Sequence, residues 1–238
     1  MGVTRFPNGL TNVKGNKPMA NYGFPDPSIW HSCFDDFDWY LASDWAITAI
    51  GTGTSALNDT DGGALLITNS ALDNEGRQHQ KVGESFLLIA GKKAVFKTRL
   101  QVSDATQSDL LIGLAVTDTT LLGAVGGDGV TDGIFFYKDD GIATLNISCQ
   151  KDITTGQLQA TSIATLVSGV FMELAWYYDG SSSIEYFVDG VKKGTLDLTS
   201  TPTTYLPDTE LTVSFALLNG EAVAKTVTID YILAAIER

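Results

Sequence analysis

From about residue 33 onward, bulky apolar side chains recur at every second position. In the stretch 109–116 they fall at Leu110, Ile112, Leu114 and Val116, with Leu111, Gly113 and Ala115 between them. Met172, Leu174, Trp176 and Tyr178 alternate in the same way. So do Ile184, Tyr186 and Val188, then Val213, Phe215 and Leu217, then Val227, Ile229, Tyr231 and Leu233. A period of two belongs to a strand, whose successive side chains point to opposite faces. Further strands are predicted over 65–68, 85–90, 94–102, 133–138 and 142–150. Turn residues separate them at Asp61-Gly62, Asp132-Gly133, Asp140-Gly141, Asp179-Gly180 and Asp189-Gly190. Roughly ten strands and no amphipathic helix predict an all-β fold, an antiparallel β-sandwich or jelly roll. No internal repeat of a propeller or solenoid kind is visible.

The first 33 residues break the pattern. Pro7, Pro18, Pro25 and Pro27 fall there and block helix interiors and central strands, while Asn8-Gly9, Lys14-Gly15 and Tyr22-Gly23 add turn signals. Yet Phe6, Leu10, Val13, Met19, Tyr22, Phe24, Ile29 and Trp30 are too many apolar side chains for a solvated tail. Either this segment folds over its own domain, or it is an extended N-terminal arm that becomes ordered on another subunit. Charge favours the second. Residues 1–25 hold Arg5, Lys14 and Lys17 and no acid, which leaves 12 bases against 28 acids in the rest of the chain. A basic arm is drawn to acidic neighbours of its own kind. The expected organisation is an arm over 1–33 and a sandwich over 34–238.

Composition narrows the class. The 238 residues are 44% apolar and 18% charged, too apolar for wholesale disorder. A net charge of −13 argues against nucleic-acid binding, which needs clustered Lys and Arg, and against electrostatic attachment to a membrane. No apolar run approaches the roughly 18 residues of a membrane helix, and the first residues lack the apolar core of a secretory signal, so a cytoplasmic origin is expected. Cys33 and Cys149 read as two separate thiols, although one bond between them would be possible.

Two stretches carry a resemblance. Trp176-Tyr177-Tyr178-Asp179-Gly180 followed by Ile184-Glu185-Tyr186-Phe187-Val188-Asp189-Gly190 resembles a hairpin of the laminin-G and concanavalin-A-like sandwiches. Phe34-Asp35-Asp36-Phe37 and Val227–Ile232 are similar to the opening and closing strands of that fold. The likeness implies a concanavalin-like jelly roll over 34–238 and says little about chemistry. The leader Val3–Val13, with Asn21-Tyr22-Gly23, Pro25-Asp26-Pro27, Phe34–Asp38 and Ser43-Asp44-Trp45, resembles structural proteins of tailed bacteriophages. That resemblance implies a virion component made in the host bacterial cytoplasm, with a capsid decoration protein as first choice. Its partners would be the major capsid protein and neighbouring copies of itself, as a trimer or dimer on a symmetry axis. Phe6, Leu10, Tyr22, Phe24 and Trp30 would anchor the arm, and Arg5, Lys14 and Lys17 would set its register.

Candidate chemistry is sparse. Some concanavalin-like glycosidases resemble Glu-x-Asp-x-x-Glu, a string absent here. Glu185 and Asp189 on one strand face would stand about 13 Å apart, beyond the roughly 5–9.5 Å of a glycosidase pair. Asp36 and Asp38 would be about 6.6 Å apart if strand-bound, a spacing that permits a pair, although an acidic edge or turn explains them as well. His31 has no companion nucleophile, and neither does His79, within a stretch 74–81 that reads as a polar loop. The expectation is that the chain is not an enzyme. Calcium is the one cofactor to consider, through Asp59–Gly62 or a convergence of Asp128, Asp132, Asp139 and Asp140. Turn chemistry explains most of these acids without a metal, so no cofactor is expected. The alternative function is a carbohydrate-binding adhesin or tail component. It needs exposed aromatic platforms, whereas Trp176 and Tyr178 should face the interior.

Overall fold

The computed structural model describes residues 28–60, 62–123, 129–152 and 157–238. The arm residues Arg5, Phe6, Leu10, Lys14, Lys17, Tyr22 and Phe24 lie outside that range. Sixteen strands follow in chain order: β1 (Trp30–Asp35), β2 (Trp45–Ile50), β3 (Gly53–Leu57), β4 (Leu65–Asn69), β5 (Gly76–Lys81), β6 (Phe86–Leu87), β7 (Ala94–Val102), β8 (Ser108–Ala115), β9 (Gly133–Lys138), β10 (Thr144–Gln150), β11 (Gln157–Thr165), β12 (Met172–Tyr178), β13 (Ser183–Val188), β14 (Val191–Asp197), β15 (Glu210–Asn219) and β16 (Thr226–Glu237). They form two antiparallel eight-stranded sheets.

Sheet A runs β14-β13-β12-β7-β16-β4-β3, and β1 shares β16 with β4. β16 pairs along its whole length with β7 on one side, and with β4 and then β1 on the other. Sheet B runs β11-β10-β9-β8-β15-β5-β2, with β6 beside the start of β15. This is the antiparallel β-sandwich that the strand pattern predicts, in the concanavalin-like form that the resemblance implies.

The alternation sorts the side chains as expected. Phe96, Leu100, Trp176, Tyr178, Ile184, Ile232 and Ala234 of sheet A meet Leu110, Ile112, Leu114, Phe136, Ile147, Val213 and Phe215 of sheet B in one core. Trp176 and Tyr178 are fully buried there. The Asp189-Gly190 turn has positive φ at both residues, 50° and 69°, which suits a two-residue hairpin between the paired Val188 and Val191.

Several segments depart from the reading of the sequence. Trp30, grouped there with the arm, lies in β1 and packs on Val95, Ala175, Tyr177, Phe187 and Ala235 on the outer face of sheet A. The polar stretch 76–81 is a strand, β5, lying between β2 and β15. Its polar residues are buried because both of its faces are covered, as described next.

Candidate functional site

The described stretches 116–123 and 129–132, between β8 and β9, lie over the outward face of sheet B and form a strap on it. Leu121, Leu122 and Val130 from this strap pack on Leu111, Ala115, Phe135, Tyr137, Ala216 and Leu218, a second buried cluster separate from the main core. Side chains of the sheet fasten the strap through its backbone. Gln78 on β5 donates to Thr119 O (2.7 Å) and accepts from Leu121 N (2.6 Å). Two residues along, Gln80 donates to Val116 O and Ser214 Oγ (both 2.9 Å) and accepts from Asp118 N (2.8 Å). Gln150 on β10 donates to Val130 O. The amides thus replace the water that these loop groups would otherwise need.

Beside the strap, where edge strand β2 meets β5, lies a depression of about 350 Å³ lined by Ala46, Thr48, Gln80, Thr117, Asp118 and Thr119. Ala46 and Thr48 point outward because they pair with Gln80 and Gln78 across β2 and β5. Asp118 is oriented by its own loop, since Oδ1 accepts from Thr120 N (2.7 Å). Thr48, Thr117, Thr119 and Asp118 thus line one hollow, with the carboxamide of Gln80 at its floor already engaged by Val116 O, Ser214 Oγ and Asp118 N. The strands of sheet B carry just two carboxylates, Asp109 and Glu210, and these sit near opposite ends of the sheet.

The residues singled out from sequence are placed elsewhere. Glu185 lies on the outer face of sheet A, ion-paired to Lys192 (2.6 Å), and Asp189 turns the β13–β14 hairpin while its Oδ1 accepts from Glu173 N (2.9 Å). Asp36 and Asp38 follow β1 in a loop, so strand spacing does not apply to them. His31 lies on β1, its ring 5.1 Å from that of Phe86. His79 is fully buried, stacked on Phe215 at 4.8 Å, with Nε2 2.8 Å from Ser55 Oγ. Both cysteines are free thiols, and Cys149 is buried in the core.

Among the described residues, the acids considered for calcium do not come together. Asp132 precedes β9 and Asp139–Asp140 follow it, at opposite ends of a six-residue strand, while Asp61 and Asp128 lie outside the described residues. At the 139–140 end the positive charge is already supplied. The buried Lys138 ammonium donates to the carbonyls of Thr106, Ser108 and Asp139; burial lowers its pKa, an effect that nearby Asp109, Asp140, Asp104 and Asp139 only partly offset. The described residues therefore do not fit a calcium site.

The sequence reading missed the depression. Two signals were present: the Gln78-His79-Gln80 alternation, and Thr117-Asp118-Thr119-Thr120 directly after an apolar strand.

No protein-family profile matches the chain, and no curated protein matches it in sequence. Solved structures do. An endo-1,3-beta-glucanase from Streptomyces sioyaensis superposes with a TM-score of 0.62 at 14% identity, over 90% of this chain and 99% of that one. The carbohydrate recognition domain of Emp47p gives 0.60 at 13% identity, over 90% and 99%. An endo-beta-1,4-glucuronan lyase from the fungus Trichoderma reesei gives 0.58 at 13% identity, over 86% and 94%. Identities this low establish a shared fold. The fold so shown is the jelly roll that these glucanase, lyase and carbohydrate-recognition structures share, and these neighbours do not point to a phage virion protein. They also overturn the expectation that the chain is not an enzyme. Enzymes acting on polysaccharides share its fold over nearly their whole length, so a missing Glu-x-Asp-x-x-Glu string removes one catalytic arrangement and leaves activity open.

Proposed function

We propose that the chain is a carbohydrate-binding β-sandwich and that its ligand seats in the depression between β2, β5 and the strap. The observation that carries this reading is the lining itself: three threonines and one aspartate, held by a loop whose backbone is fastened to the sheet through Gln80. Sugars are recognised by such directed donors and acceptors, and a pre-set loop lowers the ordering cost of binding. The printed names of the structural neighbours, a glucanase, a carbohydrate recognition domain and a glucuronan lyase, support the same ligand class. The virion role draws its support from the leader motif alone.

The test is titration calorimetry against soluble β-glucans and polyuronates, with Asp118→Asn and a Thr48→Val/Thr119→Val pair. Binding to at least one polysaccharide should weaken about 10-fold or more in each variant, as expected when buried polar contacts to a ligand are lost. Absence of binding across the panel, or variants that bind as the parent does, overturns the reading. The same incubations, assayed for new reducing ends and for unsaturated uronate, show whether binding is followed by cleavage.

A further inference from the structure

Five loops meet at the pole of the sandwich where β7 ends and β8 begins: residues 70–75, 103–107, 139–143, 166–171 and 220–225. Hydrogen bonds join them into one surface. Asn219 Nδ2 donates to Ser70 O (2.6 Å) and Leu72 O (2.9 Å), and Gly220 N donates to Gln107 O (3.1 Å). Gly141 N reaches Thr106 O and Leu166 N reaches Ala143 O, both at 2.9 Å, while Ala105 N donates to Ser168 Oγ. This fixed surface is apolar at its tips. Leu72, Ile142, Val167, Val170 and Val223 are each between 44% and 58% exposed. Single exposed aliphatics are ordinary, but five on adjoining rigid loops form a patch of the kind that marks an interaction surface.

The charge around the patch has one sign. The five loops hold Asp73, Glu75, Asp104, Asp139, Asp140 and Glu221 against one base, Lys225. That lysine is buried, its Nζ 2.7 Å from Asp104 and 2.5 Å from Glu221. An apolar surface with an acidic rim calls for an apolar, basic partner. The chain contains one such segment. Residues 1–25 carry Arg5, Lys14 and Lys17, no acid, and the apolar side chains Phe6, Leu10, Val13, Met19, Tyr22 and Phe24.

The segment is tethered at the opposite pole, across a distance that 25 extended residues could span, so the association state distinguishes docking on a second copy from docking on the same chain. The described chain enters at Ser28, and β1 pairs Trp30 with Glu237, the far end of β16 from Thr226. The 12 residues of β16 separate the two ends by roughly 36 Å at 3.3 Å per residue. The basic segment thus joins the sandwich at one pole, and the acidic apolar surface lies at the other. We infer that this pole is the docking surface for residues 1–25 of a second copy of the chain, a head-to-tail contact. Such a contact repeats into rings or filaments rather than closing as a symmetric pair.

The test uses the full-length chain in two variants, with sedimentation velocity as readout. One reverses the segment (Arg5→Glu, Lys14→Glu, Lys17→Glu) and the other spoils the pole (Ile142→Asp, Val170→Asp). The parent should associate with rising concentration beyond its 25.4 kDa monomer mass, less so at high salt, because exposed charges are screened beyond a few ångströms. Each variant alone should sediment as a monomer with unchanged near-ultraviolet circular dichroism. Mixed, they should form a heterodimer, since the spoiled pole keeps an intact segment and the reversed segment keeps an intact pole. A parent that stays monomeric at the highest concentration reached, variants that associate as the parent does, or a mixture that fails to pair each overturns the inference. If a pole variant loses its native spectrum, Val167→Lys/Val223→Lys replaces it in the same scheme.

Discussion

His79 stacks nearly parallel on Phe215, with a ring-plane angle of 13°, and meets the edge of Trp45 at 6.4 Å. One nitrogen reaches Ser55, and the other has no partner among the described residues. Burial, helped by the neighbouring Arg77 charge, brings its pKa down to about 3 from an ordinary 6.5. The unfolded chain therefore takes up a proton near pH 6.5 that the folded chain refuses until about pH 3. Stability from this residue is complete above pH 6.5 and is lost as the pH falls, with a limiting slope of about 1.4 kcal/mol per pH unit. Urea unfolding midpoints measured between pH 7 and 5, above the range where most carboxylates titrate, should decline with acidity. In His79→Gln the decline should flatten, even though the variant is less stable at pH 7. The same residue shows what a period of two conceals. Arg77-Gln78-His79-Gln80-Lys81 alternates as strictly as any core strand, but its side chains are polar on both faces, so no apolar rhythm marks it.

At the scale of the element, apolar alternation was readable in the interior strands β7, β8, β9, β10, β12, β13, β15 and β16, each with one face in the main core. β7 and β9 fall where the pattern puts them, and β12, β13, β15 and β16 shift by a few residues or less. The unread strands are edge or polar ones. β14, Val191–Asp197, and β11, Gln157–Thr165, lie at the sheet margins; β14 exposes most of its side chains and β11 buries none of its own fully. β3 is a sheet edge as well, and its short Gly-Thr-Ser-Ala-Leu run has no bulky alternation. The candidate site was hidden for a related reason. Its groups are brought together by the strap, and the strap is held through Gln78 and Gln80, whose partners lie 36–44 residues away. Nothing local announces such a contact. Gln78→Ala would leave Leu121 N and Thr119 O without that partner, at a cost of about 1–3 kcal/mol for a buried group left unpaired. Hydrogen exchange should then accelerate at 119–122 while the amides of β7 and β16 keep the parent rate. Equal acceleration everywhere would mean that the strap opens only with the whole domain.

At the scale of the whole molecule, hydrogen bonds tie residues 30–35 into the sandwich. Trp30 through Asp35 pair residue by residue with Glu237 through Ile232. A chain beginning at Ser28 should keep the parent melting temperature within a few degrees, because it retains β1. One beginning at Asp36 should lose more than 10 °C, since it strips one side of β16 and uncovers Ala234 and Ile236 in the core. The fold class was legible from strand rhythm and turn residues. The seam that closes sheet A was not, because it joins residues about 200 positions apart that carry no mutual signature.

That seam has a consequence for how the protein is made. β16 is the middle of sheet A, with β7 on one side and both β4 and β1 on the other, and it lies at the carboxyl-terminal end of the sandwich. During synthesis β1, β4 and β7 all emerge before the strand that unites them. They wait with unpaired edges while well over 100 further residues are added after β7. Loop closures of that length are slow to form, and open edges in the interval invite pairing with other chains. A ribosome-bound chain that stops before Thr226 should therefore be protease-sensitive across sheet A and depend on chaperones for solubility, and release of the last dozen residues should convert it in one cooperative step.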